Sequence, residues 1–173
     1  MNRHGTGILS SPGGDAMTVE ALSSTADLED AREQLLQSFA GLDETLLTEP
    51  KVVGEWSIRD VVAHIATWDT WVRDVLDADP KGEAPAEPDE ESMNRQAQER
   101  FAGTPLEVIR REMRTTRMPI LCQFASMSDE DRARPRYAMG DKTISADDLA
   151  ESFIEHDRSH ASEIRAWRKL MSV

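Results

Sequence analysis

The segment "SIRDVVAHIATWDTWVRDVLDA", residues 57–78, has the apolar spacing of an α-helix. Its apolar residues recur at spacings of three and four, which places them on one face of an α-helix. That face includes Val61, His64, Trp68, Trp71 and Val75. Ser57 is the predicted N-cap, and Asp60 stands where it completes a capping-box-like pair. The pattern therefore predicts an amphipathic helix from Ser57 to about Ala78.

Two further segments show the same periodicity on either side of this helix. The first covers about residues 25–47, with Ser24 as the predicted N-cap. The other begins at "TPLE", where Thr104 is the predicted cap and Pro105 occupies the first helical turn. Glu107 completes the predicted capping box.

The last amphipathic segment carries two histidines on its apolar face. It begins at Ser145, with Asp148 three residues later, and runs to about Met171. His156 and His160 lie four residues apart on the face that also holds apolar residues. The pattern predicts a fourth helix whose core-facing side includes both imidazoles.

An acidic, proline-containing stretch, "DADPKGEAPAEPDEES", separates the second and third main helices. Its composition favours a solvated connection, followed by a short helix over about residues 90–101. Strand signals are nearly absent. We therefore predict an all-α fold, an up-down-type four-helix bundle with a long acidic crossing segment between helices 2 and 3. Residues 1–22 are predicted to form a flexible tail, and residues 23–173 the bundle domain.

Composition limits the partners of this 173-residue chain. Its formal net charge of -13 argues against nucleic acid or an anionic membrane, since both require a basic surface. We find no apolar run long enough to span a membrane. Cys122 is the single cysteine, so an intramolecular disulfide and a cysteine-based zinc cluster are excluded. A reducing cytoplasm is the expected location.

The chain has four histidines, of which His4 lies in the predicted tail. The other three, His64, His156 and His160, all fall on core-facing helix faces. Spacing alone leaves two interpretations open. In the first, they are core residues whose ring nitrogens hydrogen-bond to neighbouring groups. In the second, they are metal ligands, because imidazoles at positions i and i+4 can share one metal ion with a third histidine from a neighbouring helix. The HExxH motif of metalloproteases is absent.

Three stretches resemble the DinB-like (damage-inducible) four-helix-bundle superfamily. They are "EWSIRDVVAHIATWDTWV", "SMNRQAQERFAGTPLEVIRREM" and "HDRSHASEI". The resemblance covers about residues 28–169 and implies a bundle that holds one divalent transition metal, zinc or nickel. By motif, His64 matches the ligand of the family's second helix, and His156 and His160 match the pair of its last helix.

The resemblance also implies a function. It points to a divalent-metal-dependent enzyme, a low-molecular-weight-thiol-dependent S-transferase or a hydrolase, that acts on small electrophiles. Mycothiol and bacillithiol are the candidate thiols, a small molecule is the expected substrate, and a homodimer is compatible with such bundles. The alternative is a non-catalytic small-molecule-binding or self-resistance protein similar to the colibactin-resistance cyclopropane hydrolases, which the tryptophan-histidine helix and "IRAWRK" suggest.

Several other side chains are candidates for supporting roles. Asp60, Asp157 and Glu163 stand within a turn of the histidines, so each either orients an imidazole or is an ordinary solvated charge. Tyr137 is a candidate for the mouth of the site. Cys122 is expected to be a structural thiol rather than a nucleophile.

Three arginines of the third main helix share one face. Arg110, Arg114 and Arg117 either receive the carboxylates of a thiol cofactor or form a solvated face paired with acidic neighbours. Trp68 and Trp71 are expected to be mainly core residues, one of which could wall the site.

Overall fold

A computed structural model of the chain describes residues 25–78 and 85–173. The predicted tail with His4, the predicted cap Ser24 and residues 79–84 of the acidic stretch lie outside these ranges. The elements are α1 Thr25–Ser38, α2 Glu44–Thr48, α3 Ile58–Ala78, α4 Glu90–Phe101, α5 Leu106–Ser126, α6 Asp129–Ala133, β1 Tyr137–Met139, β2 Lys142–Ile144 and α7 Ala146–Met171. None of the helices described is both long and apolar enough to cross a membrane.

Helices α1, α3, α5 and α7 form a four-helix bundle, which confirms the predicted all-α fold. α1 packs along α7, and α3 packs along α5. α5 also contacts α1, and α7 contacts α3. Although α1 and α3 are consecutive main helices, they therefore occupy opposite corners of the bundle.

Contacts between the helices establish their directions. α1 contacts α7 through Asp30–Arg158 and Ser38–Arg168. α3 contacts α5 through Asp69–Arg117 and Asp77–Gln123. α1 contacts α5 through Leu28–Arg117, and Phe39, directly after α1, contacts Arg110. α1 and α7 are parallel, α3 and α5 are parallel, and the two pairs run in opposite directions. The order is up, down, down, up. The crossing segment produces this order, because α4 packs on α3 and returns the chain to the end of the bundle where α3 began.

The helix starts predicted at Ser57 and Ser145 are confirmed. The backbone N–H and hydroxyl of Ser57 both donate to Asp60, at 2.9 and 2.7 Å. Ser145 and Asp148 form a complete capping box at the start of α7. The short helix predicted over residues 90–101 is present as α4.

The first predicted helix is wrong in its length, because the chain breaks it in two. α1 ends at Ser38, and Gly41 then adopts a φ of 79°, a left-handed conformation that glycine tolerates best. A new short helix, α2, begins after Asp43, whose side chain accepts from the N–H of Leu46. Leu42 and Leu46 still pack against the core across this break. The periodicity therefore continued while the helix did not.

The predicted capping box at Thr104 is also wrong. α5 begins at Leu106 with Pro105 at the cap position and without a side-chain cap. Glu107 instead pairs with Arg110 and Arg114 on the helix surface. The preceding turn contains Gly103 at a φ of 69°, so α4 ends and α5 begins within a few residues.

A small antiparallel hairpin was missed. β1 and β2 pair Tyr137 with Ile144 and Met139 with Lys142 around Gly140. Each strand has three residues, too few for alternation to stand out in the sequence. The hairpin places Met139 at the wall of a cavity that His64, His156 and His160 also line.

Candidate metal centre

Three histidines converge at the interface between α3 and α7. Nε2 of His64 lies 2.8 Å from Nε2 of His156, which lies 3.1 Å from Nε2 of His160. A ligand atom from each ring lies within 4.8 Å of the other two. The one-turn spacing on α7 and the antiparallel contact with α3 bring the rings together.

The outer nitrogens of two of these rings have oxygen partners. Nδ1 of His64 lies 2.7 Å from Oδ1 of Asn94, on α4. Nδ1 of His160 lies 2.8 Å from Oε2 of Glu163, one turn further along α7. Both oxygens are acceptors, so each Nδ1 carries the proton and each Nε2 presents a lone pair to the other histidines.

This donor set fits a divalent transition metal. With Nε2 of His64 and His160 both unprotonated, a single N–H on His156 can satisfy only one of them. A cation between the rings satisfies all three lone pairs. Two nitrogens bound to one zinc ion at about 2.0–2.1 Å in tetrahedral geometry lie roughly 3.3 Å apart, close to the separations above.

The environment keeps the buried ring of His64 and the partly buried ring of His156 neutral at neutral pH. Burial, with repulsion from His160, lowers the pKa of His64 to about 4. Burial and repulsion from His160 and His64 lower the pKa of His156 to about 3. A neutral imidazole is the form that binds a metal, so two of the three rings are already in that form across the physiological range.

The histidines form part of the wall of a cavity of about 660 Å³. Aromatic side chains make up much of the remaining wall, namely Trp56, Trp68, Trp71 and Phe153. Trp56 lies 5.0 Å from the His64 ring, centroid to centroid, and Trp68 packs edge-on to Trp71 at 5.6 Å. Trp68 and Trp71 thus combine core packing with a role in lining the site. The arrangement can admit a small organic molecule next to the three imidazoles.

A buried charge cluster, Arg32, Asp69, Arg117 and Asp157, lies beside the histidines in the centre of the bundle. Arg32 donates to both carboxylates, at 2.7 Å to Asp69 and 2.9 Å to Asp157. Arg117 donates to the same carboxylates at 3.2 and 3.3 Å. Burial disfavours the charge on Arg32, but the two aspartates more than offset this and raise its pKa. Burial and repulsion from Arg32 lower the pKa of Arg117.

Sequence reasoning missed Arg32 and Asp69, although a signal existed. Each lies three or four residues from buried apolar residues of its own helix, as Asp69 does from Ile65 and Val72. A charged residue at such a position has to be paired. Asn94 was missed as well, and only its place on α4 opposite His64 reveals its role.

The three carboxylates considered for orienting the imidazoles have different roles. Glu163 contacts His160, as one of the two interpretations required. Asp60 caps α3 through Ser57, so the interpretation that it orients the imidazole of His64 is wrong. Asp157 is fully buried and binds two arginines, so it is neither a solvated charge nor a partner of the imidazoles.

The arginine face of α5 is divided. Arg110 and Arg114 pair with Glu107 at the surface, whereas Arg117 is buried in the charge cluster, so a single solvated face is wrong. None of them lines the histidine cavity. Tyr137 is a buried core residue rather than part of the cavity mouth.

Cys122 is exposed on α5, so it is not the structural thiol expected from the sequence. It does not line the histidine cavity either. A role as nucleophile in this cavity is therefore not supported.

A family model of the DinB superfamily matches residues 27–164 of the chain. No curated protein matches the sequence at a significant level. The matched range contains all three converging histidines and the whole buried charge cluster.

Solved structures of the same fold share little sequence with the chain. YfiT from Bacillus subtilis, described as a probable metal-dependent hydrolase with an unusual four-helix bundle topology, is 16% identical with a TM-score of 0.69, over 95% of this chain and 94% of that one. A mycothiol-dependent maleylpyruvate isomerase is 12% identical with a TM-score of 0.70, over 84% of this chain and 60% of that one.

The colibactin self-resistance protein ClbS, solved in complex with a dsDNA, is 14% identical with a TM-score of 0.73, over 87% of this chain and 95% of that one. At such identities the likeness concerns the fold. Because one protein of this fold is bound to DNA, the fold does not by itself exclude a nucleic-acid partner. The expectation of no nucleic acid depends on charge alone.

Proposed function

This chain belongs to the DinB superfamily, and on that premise we propose that it is a divalent-metal-dependent enzyme acting on a small electrophile. His64, His156 and His160 are the proposed ligands of the metal, zinc or nickel. The observation that carries the proposal is the convergence of three Nε2 atoms at the wall of an aromatic cavity.

The reaction proposed is hydrolysis, or transfer to a low-molecular-weight thiol such as mycothiol or bacillithiol. When bound, a divalent metal with three neutral ligands supplies Lewis acidity and makes water or a thiol a better nucleophile at neutral pH. Three protein ligands leave coordination positions free for the reactants, unlike a closed structural site.

The chain's own residues position the ligands and shape the cavity. Asn94 and Glu163 hold the imidazoles of His64 and His160 in one tautomer and one ring orientation. The tryptophans give the cavity an aromatic wall beside the imidazoles, against which a small molecule can pack. The buried charge cluster anchors the backbone beside His156, because Asp157 follows it directly.

Metal quantification of untagged protein tests the proposal. We expect about one equivalent of metal in the wild-type chain and a large loss in a His64→Ala variant. His4→Ala is the matched control, since it removes the remaining histidine of the chain. A ratio near zero that does not change in His64→Ala would refute the metal site.

A reaction screen tests the catalytic part. Model electrophiles are incubated with water alone and with each thiol, using metal-loaded protein, chelator-treated protein and His64→Ala. We expect turnover by the metal-loaded wild type only. Equal turnover by all three preparations would exclude the proposed chemistry.

A non-catalytic binding protein is the second candidate, and the aromatic cavity favours it. Four aromatic side chains give a surface that can hold a small molecule without reaction. Binding would then survive replacement of all three histidines. Metal-dependent turnover of a bound electrophile would exclude this candidate.

We further propose that residues 23–173 form the functional unit, in the cytoplasm and with a small-molecule substrate. A homodimer remains a prediction that light scattering of the purified chain can test.

A further inference from the structure

The rim of the histidine cavity is acidic. Glu55, Glu87 and Glu90 line it, and all three are exposed. In the part of the chain that is described, none of them lies within 4 Å of an Arg or Lys nitrogen, whereas many surface carboxylates of the chain are paired. The described lining residues include no Arg or Lys.

The rim carboxylates come from two separate segments that the fold brings to one opening. Glu55 lies in the turn before α3, between residues of the Val53–Trp56 bridge. Glu87 lies in the described part of the crossing segment, and Glu90 is the first residue of α4. The indole N–H of Trp71 donates to the carbonyl of Ala86 at 3.3 Å, which holds this segment against the aromatic wall.

The walls of the cavity below this acidic rim are suited to a cationic ligand. Trp56, Trp68 and Trp71 present aromatic surfaces to the cavity. The faces of indole rings attract cations, and more strongly where water is partly excluded. Unpaired carboxylates and aromatic side chains that line one cavity are a combination that suits organic ammonium groups.

We propose that the substrate of this cavity is an organic cation, an apolar or aromatic molecule that carries an ammonium group. The inference depends on the proposed function in treating this cavity as the substrate site. The ammonium group lies at the glutamate rim and against the tryptophans, and the apolar part extends towards the histidines. Substrates that carry several carboxylates are disfavoured, because the glutamates of the rim repel them and no described Arg or Lys lines the cavity.

Three probes of similar size test this directly: benzyltrimethylammonium, benzyl alcohol and phenylacetate. Three of the four tryptophans line the cavity, so tryptophan fluorescence of the full-length chain reports occupancy. The quaternary ammonium cannot coordinate a metal, so the titrations are done on both metal-loaded and chelator-treated protein. We expect the cation to bind about fivefold or more tightly than the neutral alcohol in both forms.

A triple variant, Glu55→Gln, Glu87→Gln and Glu90→Gln, removes the rim charge. The matched control is Glu44→Gln, Glu99→Gln and Glu130→Gln, which removes the same net charge from exposed positions that do not line the cavity. The rim variant should lose the preference for the cation, with the two dissociation constants within about twofold, while its affinity for benzyl alcohol is unchanged. The control should keep the preference.

The possible results separate this inference from the proposed function. Equal binding of cation and alcohol to the wild type, no saturable cation binding, or equal loss of preference in both variants would overturn the inference. Retained cation preference in a chain that binds no metal would leave the inference standing and refute only the metal-dependent function.

Discussion

At the scale of single residues, the candidate centre depends on which ring nitrogen carries the proton. Asn94 and Glu163 accept from the Nδ1 atoms of two histidines, so both Nε2 atoms face inward as lone pairs. The two partners differ, however. A carboxylate increases the basicity of its imidazole more than an amide does, so Glu163 should contribute more to metal affinity.

We predict that Glu163→Ala lowers the affinity for zinc about tenfold or more. The loss of the 2.8 Å contact to His160 frees the ring to rotate and to change tautomer. Competition titration against a chromogenic chelator measures the affinity. Glu155→Ala is the matched control, since it removes an exposed carboxylate from the same helix and should leave the affinity within about twofold. Equal losses in both variants would mean that Glu163 acts only through its charge.

Acid should destabilise the metal-free protein through the buried ring of His64. The pKa of His64 is about 4 in the folded chain, whereas an unperturbed histidine has about 6.5. Below pH 6.5 the unfolded chain binds a proton that the folded chain does not. The folded protein therefore keeps its full stability, as far as His64 determines it, above pH 6.5. It loses this part of its stability as the pH falls towards 4. At pH 5 the loss amounts to about 2 kcal/mol for this one group.

Urea unfolding of chelator-treated protein at pH 7 and pH 5 measures this loss. In a His64→Asn variant the difference between the two pH values should shrink by about 2 kcal/mol. Repeating the experiment with excess zinc should enlarge the difference for the wild type, because protons then compete with the metal for the ligands. A pH difference that is the same in wild type and variant would contradict the low pKa of His64.

At the scale of helices, one polar layer connects all four members of the bundle. Arg32 on α1, Asp69 on α3, Arg117 on α5 and Asp157 on α7 each contribute one buried charge. The layer lies between two apolar clusters, one at each end of the bundle. Because only one register pairs all four charges, the layer should penalise any sliding of one helix along another.

We predict that Asp69→Asn lowers the free energy of unfolding by about 3 kcal/mol or more. The change keeps the size of the side chain but leaves two buried guanidinium groups to share one carboxylate. Chemical denaturation measures the effect. Asp74→Asn is the matched control, because Asp74 pairs with Arg73 at the surface, where an ion pair contributes about 1 kcal/mol or less. Similar effects of the two changes would show that the layer contributes no more than a surface pair.

Helix positions were largely predictable from the sequence, because apolar spacing and caps are local signals. α3 and α7 begin where Ser57 and Ser145 indicated. The break at Gly41 was not predictable from the apolar pattern, since Leu42 and Leu46 pack against the core without helical continuity. The three-residue strands of the hairpin were too short to give a pattern at all.

At the scale of the whole molecule, the arrangement of the helices in space was harder to predict from the sequence than the positions of the helices along the chain. Periodicity shows which face of a helix is buried, but it does not show which helix covers that face. The family resemblance predicted that His64 and the histidine pair of α7 lie together. The roles of Asn94 and of the buried charge cluster could not be predicted in this way, because they arise from contacts between distant segments of the chain. The sequence therefore predicted the histidines of the candidate centre and missed much of what holds them.

The charge of the whole molecule leads to the last prediction, that the chain does not bind duplex DNA at physiological salt. A net charge of -13 repels the phosphate backbone, and many of the described arginines are already paired with carboxylates. Fluorescence anisotropy of a labelled 20-base-pair duplex at about 0.15 M salt should stay flat to tens of micromolar protein, where even non-specific binders give a signal. Lowering the salt should not produce binding, because weaker screening strengthens the repulsion. Saturable binding that weakens as salt is added would instead reveal a local basic surface, and this fold would then contact DNA here as it does in ClbS.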